Sequence, residues 1–271
     1  MKNGFVIILI FVLSFVAGIS AFFYFNKTSE DYSQNLNLER MYPSGSTAPA
    51  FATATPFRAV ISPTISIATA TPVVINNSDM AIIADVPFTS QAPDGDWANQ
   101  MFQYGCEEAS MLMAIHWARG TAFTKEEAIK EITAISELEI AKYGGFYDRS
   151  AFDTTQLIKD YYGYQNVVFR ADVTTEDIKT EIKKGNILII PMNGTKLMNP
   201  HFRAGGPEEH MLVVIGYDPS TDEFVTNDPG TRFGKGYRYP VAVFMEAIRD
   251  YLTGNKEPFG QLEKNMIVVS K

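Results

Sequence analysis

The stretch Gly105-Cys106-Glu107-Glu108-Ala109-Ser110-Met111-Leu112-Met113-Ala114-Ile115-His116-Trp117-Ala118 decides how the rest of the chain is read. Apolar residues at Ala109, Leu112, Met113, Ile115 and Trp117 have helical spacing, and Gly120 supplies the stop. The helix starts on Cys106, the one cysteine among 271 residues. A helix N-terminus bears about half a positive charge and several free N–H groups, and both favour a thiolate. Glu107 and Glu108 suit a helix start but oppose that thiolate, so the local signal is divided. A lone cysteine can equally be a small buried hydrophobe.

A nucleophilic thiol needs a base within hydrogen-bond reach and a third group to orient that base. His210 opens the apolar run Met211–Tyr217, where a strand end can project it into a cleft. Asp228 follows the next strand in Asn227-Asp228-Pro229-Gly230, and an antiparallel pairing of the two strands brings it to the same half of the sheet. Read singly, Asp-Pro-Gly is a common turn and His210 a strand-edge histidine. Asn227 is the alternative third member. His116 lies ten residues beyond Cys106 on the same helix, roughly 80° off its face, and reads as structural. His201, in the Gly- and Pro-rich loop 199–207, is a rival base. Acyl transfer also needs donors for an oxyanion. Gln91, fifteen residues before Cys106 in the loop after the first strand, has an amide that could serve beside the Cys106 N–H.

Around these residues the pattern is helices first and strands later. A strand is expected over Ala81–Phe88. Helices are expected over Lys125–Ile135, where Thr124 and Glu127 form a capping box, and over Thr154–Tyr162. A further helix is expected over Thr175–Lys184, stopped by Gly185. Apolar runs at Ile187–Met192, Met211–Tyr217, Glu223–Thr226 and Met266–Val269 read as strands. The fold class is therefore α+β, in one domain spanning residues 81–271. The segments 144–150 and 195–209 are long enough to overhang a site.

Ahead of this domain, Gly4 to Phe25 is an uncharged apolar run of 22 residues. At ~1.5 Å per residue it reaches roughly 33 Å, enough for a hydrocarbon core of about 30 Å. Residues 1–26 are expected to be a transmembrane anchor with the rest of the chain outside the cell membrane. The alternative is a secreted chain after signal cleavage, favoured by the small residues Ala17, Gly18, Ser20 and Ala21. Residues 27–80 read as a linker: of the 31 residues Pro43–Val73, 22 are Ala, Ser, Thr or Pro, and Arg58 is the only charge. Such a composition buries too little apolar surface to offset its ordering entropy. An exported chain that keeps one unpaired thiol exposes it to oxidation, which favours a used cysteine over a merely packed one.

Composition removes several function classes. The net charge of −8 argues against nucleic-acid binding, which needs a basic face. One cysteine excludes an intramolecular disulfide and a zinc site built on several thiolates. Glu208, Glu209 and His210 lack the spacing of a two-histidine metal helix. No metal or other cofactor is implied.

Val86-Pro87-Phe88-Thr89-Ser90-Gln91, Trp97, Gly105-Cys106 and its helix, His210 ahead of a strand ending Gly216-Tyr217-Asp218, and Asn227-Asp228-Pro229 occur in one order. Together they resemble the C39-like cysteine peptidases of the papain-like superfamily, over roughly residues 82–270. The resemblance implies a papain-like fold with a helical first half and an antiparallel sheet in the second. It implies Cys106 as nucleophile, His210 as base, Asp228 as orienting acid and Gln91 as oxyanion donor, acting on a peptide or protein. The family's best-known members are fused to export transporters and cut leader peptides after a double glycine. With a single membrane segment here, that substrate does not carry over. The alternatives are a silent peptidase-fold module that binds peptide or cell-wall ligand, and a peptidoglycan amide hydrolase.

Overall fold

The computed structural model describes residues 80–254 and 263–271, so the expected anchor and all of the linker but Met80 lie outside the described residues. Among the described residues no helix is long and apolar enough to cross a membrane.

A seven-stranded, fully antiparallel sheet forms the centre. Its strands are β1 (Ala81–Ile82), β2 (Val167–Arg170), β3 (Ile187–Met192), β4 (His210–Asp218), β5 (Glu223–Asn227), β6 (Lys235–Pro240) and β7 (Met266–Val269). The order is β2-β7-β3-β4-β5-β6, with β1 on β4 beyond the end of β3. The helices are α1 (Gln100–Gln103), α2 (Cys106–Arg119), α3 (Lys125–Tyr143), α4 (Ala151–Tyr162), α5 (Thr175–Lys183) and α6 (Val241–Ala247). All but α6 precede β3, as an α+β reading requires.

Strands β3 and β4 are buried along almost their whole length, because side chains alternate across the sheet and both faces are covered. Met211, Val213 and Ile215 face a core built with α2 and α4, while Leu212 and Val214 face one built with α5 and α6. This explains why β4 reads as an unbroken apolar run although its pairing is antiparallel. Across it, Val213 stands opposite Asn227 of β5. The chain direction therefore brings residue 228 beside the first residues of β4, as the expected strand pairing demands.

Most element boundaries match the sequence reading, and the departures have identifiable causes. The first strand is two residues long and not eight, since Asp85 takes a left-handed φ of 59° and ends the extended run. Helix α3 runs to Tyr143, two turns past Ile135. Its later inward-facing residues, Ser136 and Glu139, are polar and buried, so hydrophobic periodicity does not reveal them. Helix α4 begins at Ala151, capped by the Ser150 side chain. Strands β2 and β6 and helices α1 and α6 were not anticipated.

Helix α2 is fastened to β4 at one polar point: Ser110 Oγ, fully buried, donates to the Met211 carbonyl at 3.2 Å. Ser110 lies one turn after Cys106, and Met211 next to His210, so this bond sets the helix against the strand that holds the histidine. Replacing Ser110 with Ala should cost about 1 kcal/mol in urea-unfolding stability, with an unchanged m-value.

Candidate active site

Cys106, His210 and Asp228 come from three separate elements and meet at one end of the sheet. An open cleft of about 230 Å³ is lined by Gln91, Tyr104 and Cys106 from the chain leading into α2, and by Glu208, Glu209 and His210 from the entry to β4. Asp148, from the loop before α4, completes the lining together with Gln103 and Pro207. Both long segments noted in the sequence thus contribute to the cleft.

Asp228 is completely buried and accepts three hydrogen bonds. His210 Nε2 lies 2.8 Å from its Oδ1, which also accepts from the Gly230 N–H at 2.9 Å. Tyr239 donates its hydroxyl to Oδ2 at 2.5 Å, and Asn199 Nδ2 donates to that hydroxyl at 2.7 Å. An ionised carboxylate only accepts, so the His210 nitrogen it meets carries the hydrogen, and Nδ1 of the neutral ring is left as an acceptor. Burial pushes the Asp228 carboxyl up, but the charge that His210 carries when its ring is protonated, together with the bonds from His210, Tyr239 and Gly230, outweighs it and holds the group below its ordinary range. Phe202 packs edge-on against the imidazole, with 5.3 Å between centroids.

The other sequence candidates fall out differently. Asn227 makes no bond to His210. Its amide holds the Pro87 carbonyl at 3.2 Å, and its oxygen accepts from Gly236 at 3.1 Å, tying the segment before Gln91 to β6. His201 is exposed and packs against Phe233 and Tyr237, away from the cleft lining. His116 pairs with Glu131 and Thr121 at the far end of α2, a structural use. Gln91 lies beside Cys106, but its amide nitrogen donates to the Phe102 and Gln103 carbonyls, both at 2.9 Å. In this arrangement it holds the chain ahead of the helix. Tyr239 and Asn199 escaped the sequence reading; the aromatic alternation of Tyr237 and Tyr239 in Lys235–Pro240 was the available strand signal.

Residues 83–256 match the model of the Peptidase_C39 like family. The chain belongs to the Peptidase_C39 like family. It is also similar to the crystal structure of a Bacillus anthracis protein described as a C39-like peptidase, with 20% identity, a TM-score of 0.48, and coverage of 71% of this chain and 98% of that one. No curated protein matches the chain. Family membership supports a peptidase-type function for this α+β domain.

In this member of the Peptidase_C39 like family the thiol has an acidic setting. Cys106 Sγ donates to Glu107 Oε2 at 3.1 Å. Burial, then the charges of Glu107 and Asp148, push the thiol well above its ordinary range. The sulfur and the carboxylates of Glu107 and Asp148 lie within 4.8 Å of one another, the one such grouping among the described residues. Glu107 Oε1 is already taken by the Tyr251 hydroxyl at 2.6 Å and the Arg149 N–H at 3.1 Å. A metal there would have to compete with the fold's own donors.

Behind α2 the acids continue. Glu108 accepts from Ser136, and Glu139 pairs with the Arg149 guanidinium, all four side chains being buried. Burial raises Glu139 to about 7 despite Arg149. The folded chain therefore keeps a proton that the unfolded chain releases near a pKa of about 4.3. Its stabilising contribution is complete below that lower value and is lost as pH rises through about 7. The melting temperature should fall between pH 5 and 8, and Glu139→Gln should flatten that fall.

Gly230 makes a second prediction. A Cβ there would lie 2.8 Å from Phe202, 2.9 Å from His210 and 3.2 Å from Asp228. Gly230→Ala should displace the imidazole, shifting the His210 ring resonances in NMR spectra while leaving far-UV circular dichroism intact.

Proposed function

We propose that this chain is a cysteine peptidase that cuts a peptide or amide bond with Cys106, His210 and Asp228. In this reading residues 4–25 hold it in the cell membrane, with the catalytic domain outside. The observation that carries the proposal is the 2.8 Å bond between buried His210 and buried Asp228, with Cys106 lining the same cleft.

The thiol leaves Glu107 for the imidazole, whose Nδ1 takes its proton as the sulfur attacks the substrate carbonyl. Asp228 stays ionised, fixes the tautomer and stabilises the imidazolium that forms. The developing oxyanion takes the Cys106 N–H, and Gln91 shares with it one of the hydrogens now given to a backbone carbonyl. Imidazolium protonates the departing amine. Water, deprotonated by His210, then hydrolyses the thioester and returns the thiol.

A second reading is supported by one observation, the acidic, enclosed setting of Cys106. A thiol held protonated would leave a module that binds peptide without cutting it. Alkylation of the single cysteine by iodoacetamide from pH 4 to 10, with a His210→Ala variant alongside, separates the two. A peptidase should react below pH 7 in a His210-dependent manner, and Cys106→Ala should lower hydrolysis by about 10³-fold or more. An ordinary titration near 8.5, untouched by loss of His210, would move the assignment to the binding module.

A further inference from the structure

Asp228 has two carboxylate oxygens, and only one of them faces the histidine. Oδ1 accepts from both the His210 ring and the Gly230 N–H, while Oδ2 has one donor, the Tyr239 hydroxyl. Tyr239 is among the largest fully buried side chains and packs with Tyr237 and Phe244 in the core built with α5 and α6. That packing calls for a ring and not for a hydroxyl, since phenylalanine would fill the same space. A hydroxyl buried there needs partners, and both of its bonds run along one line of side chains. Asn199 Nδ2 donates to the Tyr239 oxygen at 2.7 Å, and Asn199 Oδ1 accepts from the His201 N–H at 3.0 Å. The backbone thereby fixes which end of the amide faces the tyrosine. An amide nitrogen only donates, so the single tyrosine hydrogen points to Asp228. Burial, then the Asp228 charge, push the Tyr239 hydroxyl far above its ordinary range, and it keeps that hydrogen at any pH the folded chain meets. Asn199 and Phe202, which packs on the imidazole, share one loop, and the Phe202 N–H bonds the Asn199 carbonyl at 3.1 Å. The segment between β3 and β4 thus reaches both members of the His210–Asp228 pair.

We propose that Tyr239, held by Asn199, is a positioning residue for the peptidase reaction and acts through Asp228 on His210. This deepens the peptidase assignment and rests on it. With Oδ2 bonded, the carboxylate cannot rotate, so Oδ1 stays on its ring nitrogen and the other nitrogen stays free to accept the thiol proton. The bond also draws charge out of the carboxylate. A less basic carboxylate holds a second imidazole proton less tightly, so the pair gives it up at a lower pH and the ring is available as a base. Asn199 adds to the effect by polarising the tyrosine O–H.

Because the chain has three histidines, the pair can be read without a substrate. The full chain, isotope-labelled at histidine Cε1 and held in a neutral detergent, is titrated by NMR, and His210 is assigned by its loss in His210→Ala. In Tyr239→Phe the His210 signal should titrate about half a pH unit or more above its position in the parent chain. His116, bonded to Glu131 at the far end of α2, should titrate as before. Asn199→Ala, which leaves the tyrosine in place, should move His210 in the same direction by less. On the cleft side His210 shares its surroundings with Cys106, Asp148, Glu208 and Glu209, and beside Asp228 the other titratable neighbour is Tyr237. None of these is altered, so the movement reports the lost hydroxyl. Tyr237→Phe, the same change two residues along β6, is the control and should leave His210 where it is.

A His210 signal that titrates alike in the parent chain and Tyr239→Phe, that moves to lower pH, or that titrates in neither would overturn the proposal. An equal movement in Tyr237→Phe overturns it as well, and no movement in Asn199→Ala removes the part assigned to Asn199. Iodoacetamide alkylation of Cys106 judges the peptidase assignment separately. A His210-dependent thiol beside an unmoved titration defeats only the role of Tyr239. A thiol indifferent to His210, beside a titration that moves, defeats the peptidase and with it the catalytic meaning of the bond.

Discussion

A carboxylate with no access to water organises this end of the molecule. Asp228 is completely buried, and a buried charge is tolerated only when donors surround it. The donors come from the start of β4, from Tyr239 in β6 and from the turn that Asp228 itself begins. That turn has to be narrow. A Cβ on Gly234 would fall 1.8 Å from the Asp228 carbonyl, so the chain can fold back only where a side chain is missing. The Pro229 carbonyl in turn accepts from the Gln91 N–H at 2.9 Å, which draws in the segment leading to α2. Three strands and the approach to the helix are thereby held to one charged group.

That convergence was partly legible in the sequence. Cys106, His210 and Asp228 were recognisable because each sits at an element boundary marked by glycine, proline or the start of an apolar run. The order of the motifs then supplied what no single motif could. Tyr239 and Asn199 were invisible as partners because their bond to each other spans 40 residues, and no periodicity reports a contact across that distance. The same holds for Gln91, whose closeness to Cys106 was anticipated. Its donation to the Phe102 and Gln103 carbonyls depends on the path of α1, a four-residue helix that leaves almost no pattern.

The extent of α3 is a different kind of miss. Hydrophobic spacing ends where Ser136 and Glu139 take over the inward face, yet those residues are as buried as Ile132 and Ile135. Polar groups occupy a core face here because they face one another: Ser136 bonds Glu108 of α2, and Glu139 bonds Arg149 from the loop before α4. A reading based on hydrophobicity treats such a face as the end of a helix. Only the partner residues, distant in sequence, reveal it as interior.

The same cluster changes the meaning of the acids that follow Cys106. In sequence, Glu107 and Glu108 set a fixed negative field against the positive end of the α2 dipole. In the folded chain both are buried, and burial raises both carboxyls above their ordinary range. The Arg149 guanidinium pairs with Glu139, while Glu107 takes the Arg149 backbone N–H and Glu108 the Ser136 hydroxyl, and one positive charge cannot balance three negative ones out of water. Burial therefore favours the neutral form of each of these acids. A protonated Glu107 exerts no net charge on the neighbouring sulfur, and its hydroxyl can donate where its carboxylate could only accept. The field at Cys106 is set by Glu107 and Asp148 first and by Glu108 after them. Glu139, raised to about 7 on the helix behind α2, reaches that field through its repulsion with Glu107 and Glu108.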